Sequence, residues 1–167
     1  MTRVGESDAV LSGIGWDSHR LEEGRPLILG GVHIPAARGP VAHSDGDVLT
    51  HAIIDALLGA GGLGDIGQHF PDSDERYRGA NSLELLAGVV DRVSSAGLRV
   101  VNVDATVLAE QPRLGPYREQ IQAGLAGVLG LAAPRVNVKA TTGEGMGFVG
   151  RGEGIAALAV AGLRSVD

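Results

Sequence analysis

Two short stretches concentrate the side chains able to do chemistry. Residues 17 to 19 read Asp-Ser-His, and residues 43 to 55 read His-Ser-Asp-Gly-Asp-Val-Leu-Thr-His-Ala-Ile-Ile-Asp. In an extended chain, residues two apart project to the same side, so Asp17 and His19 point together. A catalytic zinc site takes three protein ligands from His, Asp or Glu and keeps a fourth position open. Asp17, His19 and one histidine of the second stretch meet that count. Spacing does not choose between His43 and His51. His51 rides on a helix, whereas His43 sits where that helix begins, and a helix N-terminus attracts anions through its free N–H groups and its macrodipole. A phosphate beside His43 and Ser44 fits that place. The plainer reading makes His43 a loop residue, Asp47 only a cap and His51 a partly buried histidine.

Three further segments carry polar groups at places suited to ligands. Gly64-Asp65-Ile66-Gly67 sets a carboxylate between glycines in a loop, as an acceptor for a polyol or as a plain turn. Lys139-Ala140-Thr141-Thr142-Gly143-Glu144 puts hydroxyls and a carboxylate at a strand end. There hydroxyls can hold phosphate oxygens and Glu144 can bind a second hard cation, or the segment is simply strand and turn. It lacks the Gly-x-x-x-x-Gly-Lys spacing of a P-loop. Arg151-Gly-Glu153-Gly sets a cation beside an anion, as a subunit contact or a solvated pair.

The elements that position these groups follow from periodicity. Ala9 to Gly15 reads as an opening strand that ends at Trp16 to His19. Leu27-Ile28-Leu29 and Val32-His33-Ile34, joined by Gly-Gly, form a hairpin signal, and 36 to 42 reads as a loop. Ser44 and Asp47 have capping-box spacing, which predicts a helix from Ser44. Apolar residues at Val48, Leu49, Ala52, Ile53, Ala56 and Leu57 carry it to Gly59 or just beyond. That places His43 at the helix mouth and His51 two turns inside. Gly61 to Gly79 reads as a long loop of the kind that is functional or mobile. Ser82 to Ala96 is an amphipathic helix, Leu98 to Leu108 a strand, Pro116 to Leu129 a helix, Arg135 to Thr141 a strand, Gly143 to Gly154 a glycine-rich loop and Ile155 to Leu163 a closing strand. The order predicts an α+β fold with helices packed on one face of a mixed sheet.

Composition narrows the function. The chain has 167 residues, suiting one domain, which is expected over 12–167 after a flexible extension over 1–11. A formal charge of −6 argues against nucleic-acid binding through a broad basic face. With no cysteine, disulfides and thiolate sites are excluded, so any metal must be held by His, Asp or Glu. Five aromatic residues leave little surface for base stacking. No apolar run approaches the roughly 20 residues that span a bilayer, and the N-terminus lacks the form of a signal or transit peptide. The expectation is a cytoplasmic protein with no membrane partner.

Seven motifs occur in collinear order between Gly13 and Leu163: D-S-H from Asp17, A-H-S-D-G-D from Ala42, H-A-x-x-D-A-L-L-G from His51, L-G-D-I-G from Leu63, F-P-D-S-D from Phe70, N-V-K-A-T-T from Asn137 and G-R-G-E-G from Gly150. Together they resemble the 2-C-methyl-D-erythritol 2,4-cyclodiphosphate synthases of the non-mevalonate isoprenoid pathway. The resemblance implies a lyase that is a homotrimer with active sites between subunits. It converts 4-diphosphocytidyl-2-C-methyl-D-erythritol 2-phosphate to the cyclic diphosphate and CMP.

Carried over by position, the resemblance implies Asp17, His19 and His51 as ligands of zinc or another divalent transition metal. His43 and Ser44 are then left for phosphate, with His43 and Thr142 stabilising the transition state. It implies Asp65, Ile66, Gly67 and the loop Phe70, Pro71, Asp72, Ser73 and Asp74 around the erythritol. Glu144 is implied as the ligand of a second ion, Mg or Mn, between the phosphates. Ala109, Pro112, Arg113, Leu114, Gly115, Ala140 and Thr141 match a cytidine-diphosphate pocket lent by the neighbouring subunit. Phe148 and Arg151 match a central cavity that takes up an isoprenoid diphosphate in some members. Asp55 is expected to support the site from behind.

Electrostatics gives the implied mechanism its form. The 2-phosphate attacks the β-phosphorus and CMP leaves, so cations must offset the repulsion between two anions while holding them in line. Arg113 stands where many members have Lys, keeping charge but changing geometry. Gly143 replaces a frequent Thr, which is expected to loosen the Glu144 loop. The competing readings are a metal-dependent phosphohydrolase, in which water attacks, and a non-catalytic trimer that binds isoprenoid diphosphate.

Overall fold

The computed structural model describes residues 9–166. A five-stranded sheet has the order β4-β1-β7-β5-β6, and a separate two-stranded ribbon pairs β2 with β3. The strands are β1 Leu11–Glu23, β2 Leu27–Leu29, β3 Val32–Ile34, β4 Arg38–Pro40, β5 Leu98–Leu108, β6 Val136–Thr141 and β7 Gly154–Ser165. The helices are α1 Val48–Ala60, α2 Ile66–His69, α3 Ser82–Ser95, α4 Arg118–Leu129 and α5 Gly147–Gly150. β5 and β6 run parallel, joined through α4 as such a pair requires, and the other pairings are antiparallel. The sheet is therefore mixed and the fold α+β.

Alternation decides which face is covered. Along β5, Val103, Ala105 and Val107 are buried while Asp104 and Thr106 are not. On β1, Gly15 and Leu21 face inward, whereas Ile14 and Trp16 stay exposed on the far side. The helices lie on the inward face, and α1 is buried nearly all round, as expected of a helix between a sheet and further elements.

Two glycines set how closely α1 lies on β1. A Cβ at Gly13 would stand 2.1 Å from the Ala56 carbonyl oxygen, and one at Gly15 would stand 1.8 Å from that of Ala52. Only residues without a side chain allow this approach, and it brings the first turn of α1 against the next inward positions of β1, Asp17 and His19.

Several expectations are corrected. β1 runs to Glu23, so Asp17 and His19 lie mid-strand rather than at its end. The 36–42 segment contains β4, which pairs with the last residues of β1. The long loop and the glycine-rich loop hold α2, a 3-10 turn over Glu75–Tyr77, and α5. Such four-residue turns leave no periodic signal. Of the expected extension, 1–8 lie outside the described residues, and Leu11 already belongs to β1.

Candidate functional site

The helix that carries His51 begins later than the capping-box spacing predicts. Asp47 is itself the N-cap of α1, and its Oδ1 accepts from the Thr50 amide at 3.0 Å. Its Oδ2 accepts from the Thr50 hydroxyl at 2.8 Å and from the Gly31 amide at 2.9 Å, tying the ribbon turn to the helix. Ser44 does not cap; its hydroxyl accepts from the Gly46 amide in a turn that Gly46 closes with φ +74°. That turn takes up the three residues expected to be helical. His51 thus lies in the first turn of α1 rather than two turns inside, and His43 lies before the helix rather than at its mouth.

From this position His51 meets β1. Its Nδ1 is 3.0 Å from Asp17 Oδ2 and 3.4 Å from His19 Nε2, and Asp17 Oδ2 is 2.9 Å from His19 Nε2. Among the described residues this is the group of three side chains that can hold a metal ion. Burial raises the pKa of Asp17, but hydrogen bonds and charge from His19 and His51 outweigh it and hold the value at about 2. Burial likewise disfavours a charged His51, yet the hydrogen bond and charge of Asp17, with Asp47 and Asp45, raise its pKa. The cluster therefore favours added positive charge. A two-histidine, one-carboxylate donor set converging beside open space fits a divalent transition metal with a free position.

The open space is a cavity of about 410 Å³, lined by Asp17, His19, His43, Ser44, His51, Asp55, Ile66, Gly67, Phe70, Pro71 and Asp72. Trp16, Val41, Ala42, Tyr77 and Leu85 also line it. Tyr77 packs edge-on against Phe70, with ring centroids 5.3 Å apart. His43 Nε2 lies 3.1 Å from the Asp74 carbonyl, which ties the His43 turn to the 70–74 loop. Asp55 takes a definite part: its Oδ1 accepts from the Ile66 amide at 2.7 Å, fastening α2 over the cavity. Asp65, Ser73 and Asp74 are not among the lining residues. Asp65 caps α2, accepting from the Gln68 amide at 3.0 Å.

The remaining candidates lie elsewhere. Thr141 pairs with Leu108, Leu108 with Ala156, and Ala156 with Ser18, so the Thr142–Glu144 turn leaves the same end of the sheet as His19 but three strands away. At about 4.8 Å per strand, that is roughly 14 Å. Ala109, Arg113, Leu114, Gly115, Ala140, Thr141, Thr142 and Glu144 line none of the cavity that holds the histidines. Pro112 and Arg151 line a second cavity of about 470 Å³, and Phe148 lines a third of about 230 Å³ beside Ser18 and His19. Arg151 and Glu153 form an exposed ion pair at 2.8 Å within the chain.

The 142–145 turn is closely packed at its glycine. Gly143 donates to Glu110 at 3.0 Å, and a Cβ there would stand 2.5 Å from the Gly150 amide nitrogen. The missing side chain lets the turn close on α5, and Glu144 follows in the left-handed region at φ 52°.

Residues 10–164 match the YgbB family. The 2-C-methyl-D-erythritol 2,4-cyclodiphosphate synthase of Pelotomaculum thermopropionicum is 58% identical over 149 residues, covering 89% of this chain and 92% of that protein. The bifunctional IspDF of Campylobacter jejuni has a solved structure that superposes with TM-score 0.92 at 46% identity, over 95% of this chain and 43% of that one. The IspF of Plasmodium falciparum, solved as a CDP complex, superposes with TM-score 0.83 at 31% identity, over 96% of this chain and 99% of that one.

Proposed function

The chain belongs to the YgbB family, and from that premise we infer that it is a 2-C-methyl-D-erythritol 2,4-cyclodiphosphate synthase. It converts 4-diphosphocytidyl-2-C-methyl-D-erythritol 2-phosphate to the 2,4-cyclodiphosphate with release of CMP. The observation that carries this reading is the convergence of Asp17, His19 and His51 within 3.4 Å of one another, beside a cavity walled by Ile66, Gly67, Phe70, Pro71 and Asp72.

Asp17, His19 and His51 would hold a divalent transition metal such as zinc, which would supply positive charge to phosphate oxygens. The chain's own groups do the positioning. His43 and Ser44, on the cavity wall, contact phosphate, and His43 and Thr142 stabilise charge in the transition state. Asp65, Ile66, Gly67 and the Phe70–Asp74 loop hold the erythritol. The loop of Pro112, Arg113, Leu114 and Gly115, with Ala109, Ala140 and Thr141, receives the cytidine diphosphate, and Glu144 would hold a second ion, Mg or Mn. In the reaction a 2-phosphate oxygen bonds to the β-phosphorus while its bond to the CMP oxygen breaks, and CMP takes the electron pair. No protein nucleophile is required, so in-line placement and charge stabilisation carry the rate.

The strand order favours a site shared between subunits. By strand count the Glu144 turn of one chain lies roughly 14 Å from the His51 cluster, which favours a second copy bringing its Glu144 turn to the cavity. The exposed sheet face supplies a contact: Ile14 is 70% exposed, and Trp16, Leu158 and Val160 flank it. Burying such a face in a homotrimer, the assembly we assign, removes an apolar patch from water. Phe148 and Arg151 then face the trimer's central cavity, where an isoprenoid diphosphate can bind. We place the activity in the cytoplasm; among the described residues no helix is long and apolar enough to cross a membrane.

The test is incubation of the purified protein with the cytidylyl substrate and Mg. Phosphorus NMR should show a cyclic diphosphate together with CMP. A linear monophosphate would reverse the reading, and light scattering should give three times the chain mass.

A further inference from the structure

The structure assigns to Ser82 and Asp45 a role that their place in the sequence does not suggest: they are positioning residues that orient His51 toward the metal. This rests on the reading of Asp17, His19 and His51 as a metal site.

The two nitrogens of His51 have different surroundings. Nδ1 faces the other donors, 3.0 Å from Asp17 Oδ2 and 3.4 Å from His19 Nε2. Nε2 faces the opposite way and lies 2.8 Å from Ser82 Oγ. A nitrogen that binds a metal must present its lone pair, so the ring proton belongs on Nε2. Nε2–H then donates to the Ser82 hydroxyl, and that hydroxyl donates its own proton to Asp45 Oδ1 in a short contact. Histidine, serine and carboxylate thus form one directed relay running outward from the metal side.

The capping of α3 does not account for these contacts. Asn81 is the N-cap, accepting from the Leu83 amide at 2.9 Å, so the Ser82 hydroxyl is spare as far as the helix is concerned. It is nevertheless completely buried and spent on His51 and Asp45. Asp45 is fixed from several sides, accepting from the Ser82 amide at 2.9 Å and the Asp47 amide at 3.1 Å, while its own amide donates to the Ala80 carbonyl at 3.1 Å. A carboxylate at the start of α3 is also favoured by the helix dipole. Ser44 Oγ, 3.2 Å from the same Nε2, offers a second and longer acceptor.

Partners of this kind fix the tautomer of a ligating histidine and increase its basicity, and losing one costs about 10–100-fold in metal affinity. The relay also joins the metal to the turn that holds His43 and Ser44, because Asp45 is part of that turn.

Zinc affinity, measured by competition with a chromogenic chelator, tests the relay on the wild-type protein, Ser82→Ala, Asp45→Asn and the double variant. Melting is recorded with zinc and with excess chelator. Each single variant should bind zinc about 10–100-fold more weakly, and the gain in Tm that zinc confers should shrink. The double variant should be no worse than the weaker single one, because the two groups act in series. Wild-type affinity in both single variants overturns the inference, and so does full additivity in the double. Should Ser82→Ala fail to fold, Asp45→Asn, which keeps the hydroxyl, carries the same expectation alone. A wild-type protein that takes up no zinc would instead refute the metal reading itself.

Discussion

The His51 cluster and the Thr142–Glu144 turn leave the same end of one sheet, yet they are built in opposite ways. The first is assembled by packing: glycines at 13 and 15 let α1 press on β1, and buried hydrogen bonds fix each side chain. The second is exposed, and it is ordered by the close approach of Gly143 to α5, by Glu144 at φ 52°, and by Glu110 and Thr142 side chains that accept from the Gly143 and Glu144 amides. On the proposed reading, the first half is preorganised within one chain to receive a metal, and the second is completed by what arrives, a ligand or a second copy. Metal retention and turnover should therefore separate cleanly between the halves.

The sharpest break is at the two histidines. His51→Ala removes a proposed ligand and should abolish zinc uptake, with turnover falling by about 10³-fold or more. His43→Ala should keep the metal and lose about 10²–10³-fold in rate, because His43 contacts the Asp74 carbonyl and the cavity but none of the three donors. Metal analysis beside initial rates checks both, and zinc lost from the His43 variant with zinc kept by the His51 variant would invert the assignment.

Packing is the next place to press. Gly15→Ala puts a methyl group onto the Ala52 carbonyl, where backbone must move, so urea unfolding should show a loss of about 3 kcal/mol. The same displacement withdraws His51 from Asp17, and zinc affinity should fall with it. Glu144→Gln, in the other half, should leave urea stability and zinc content unchanged. Its effect should appear as a raised Mg requirement and a rate loss of about 10²-fold or less. A stability loss there would show that the exposed turn is also held by packing.

What the sequence made legible follows the range of the forces involved. The bounds of β5, the β2-β3 ribbon and the span of α3 follow from local periodicity and turn chemistry, and they stand as read to within a residue. The start of α1 did not, because Ser44 and Asp47 have the spacing of a capping box while Asp45 is held by α3, 37 residues away. The metal trio was legible as residue types, but choosing His51 over His43 took the family resemblance. The three-dimensional reason is the Gly13–Gly15 contact with α1, which no local pattern contains. Ser82 was read only as the first residue of an amphipathic helix, since its partners come from α1 and the turn before it. The separation of Glu144 from the cluster depends on strand order, which the crossover rule limits without choosing.

The smallest expected effect is a pH dependence of the metal-free protein, and it tests how tightly the first half is coupled. Asp17 in the fold has a pKa of about 2 against an ordinary 3.8, so in that window the native state binds fewer protons than the unfolded chain. Its stabilising contribution is therefore whole above about pH 4 and lost as pH falls toward 2, a change of about 2 kcal/mol. Asp47 has the opposite sign: burial raises its pKa, partly offset by the Thr50 and Gly31 hydrogen bonds, so its ionised form opposes folding and acidification relieves that cost. The Asp17→Asn variant should consequently start less stable at pH 5 and lose less between pH 4 and pH 2. Urea unfolding across that range, with chelator present, measures the difference. Parallel curves for variant and wild type would mean that Asp17 is not coupled to the histidines in the fold, and the claim that this half is preorganised would fail with them.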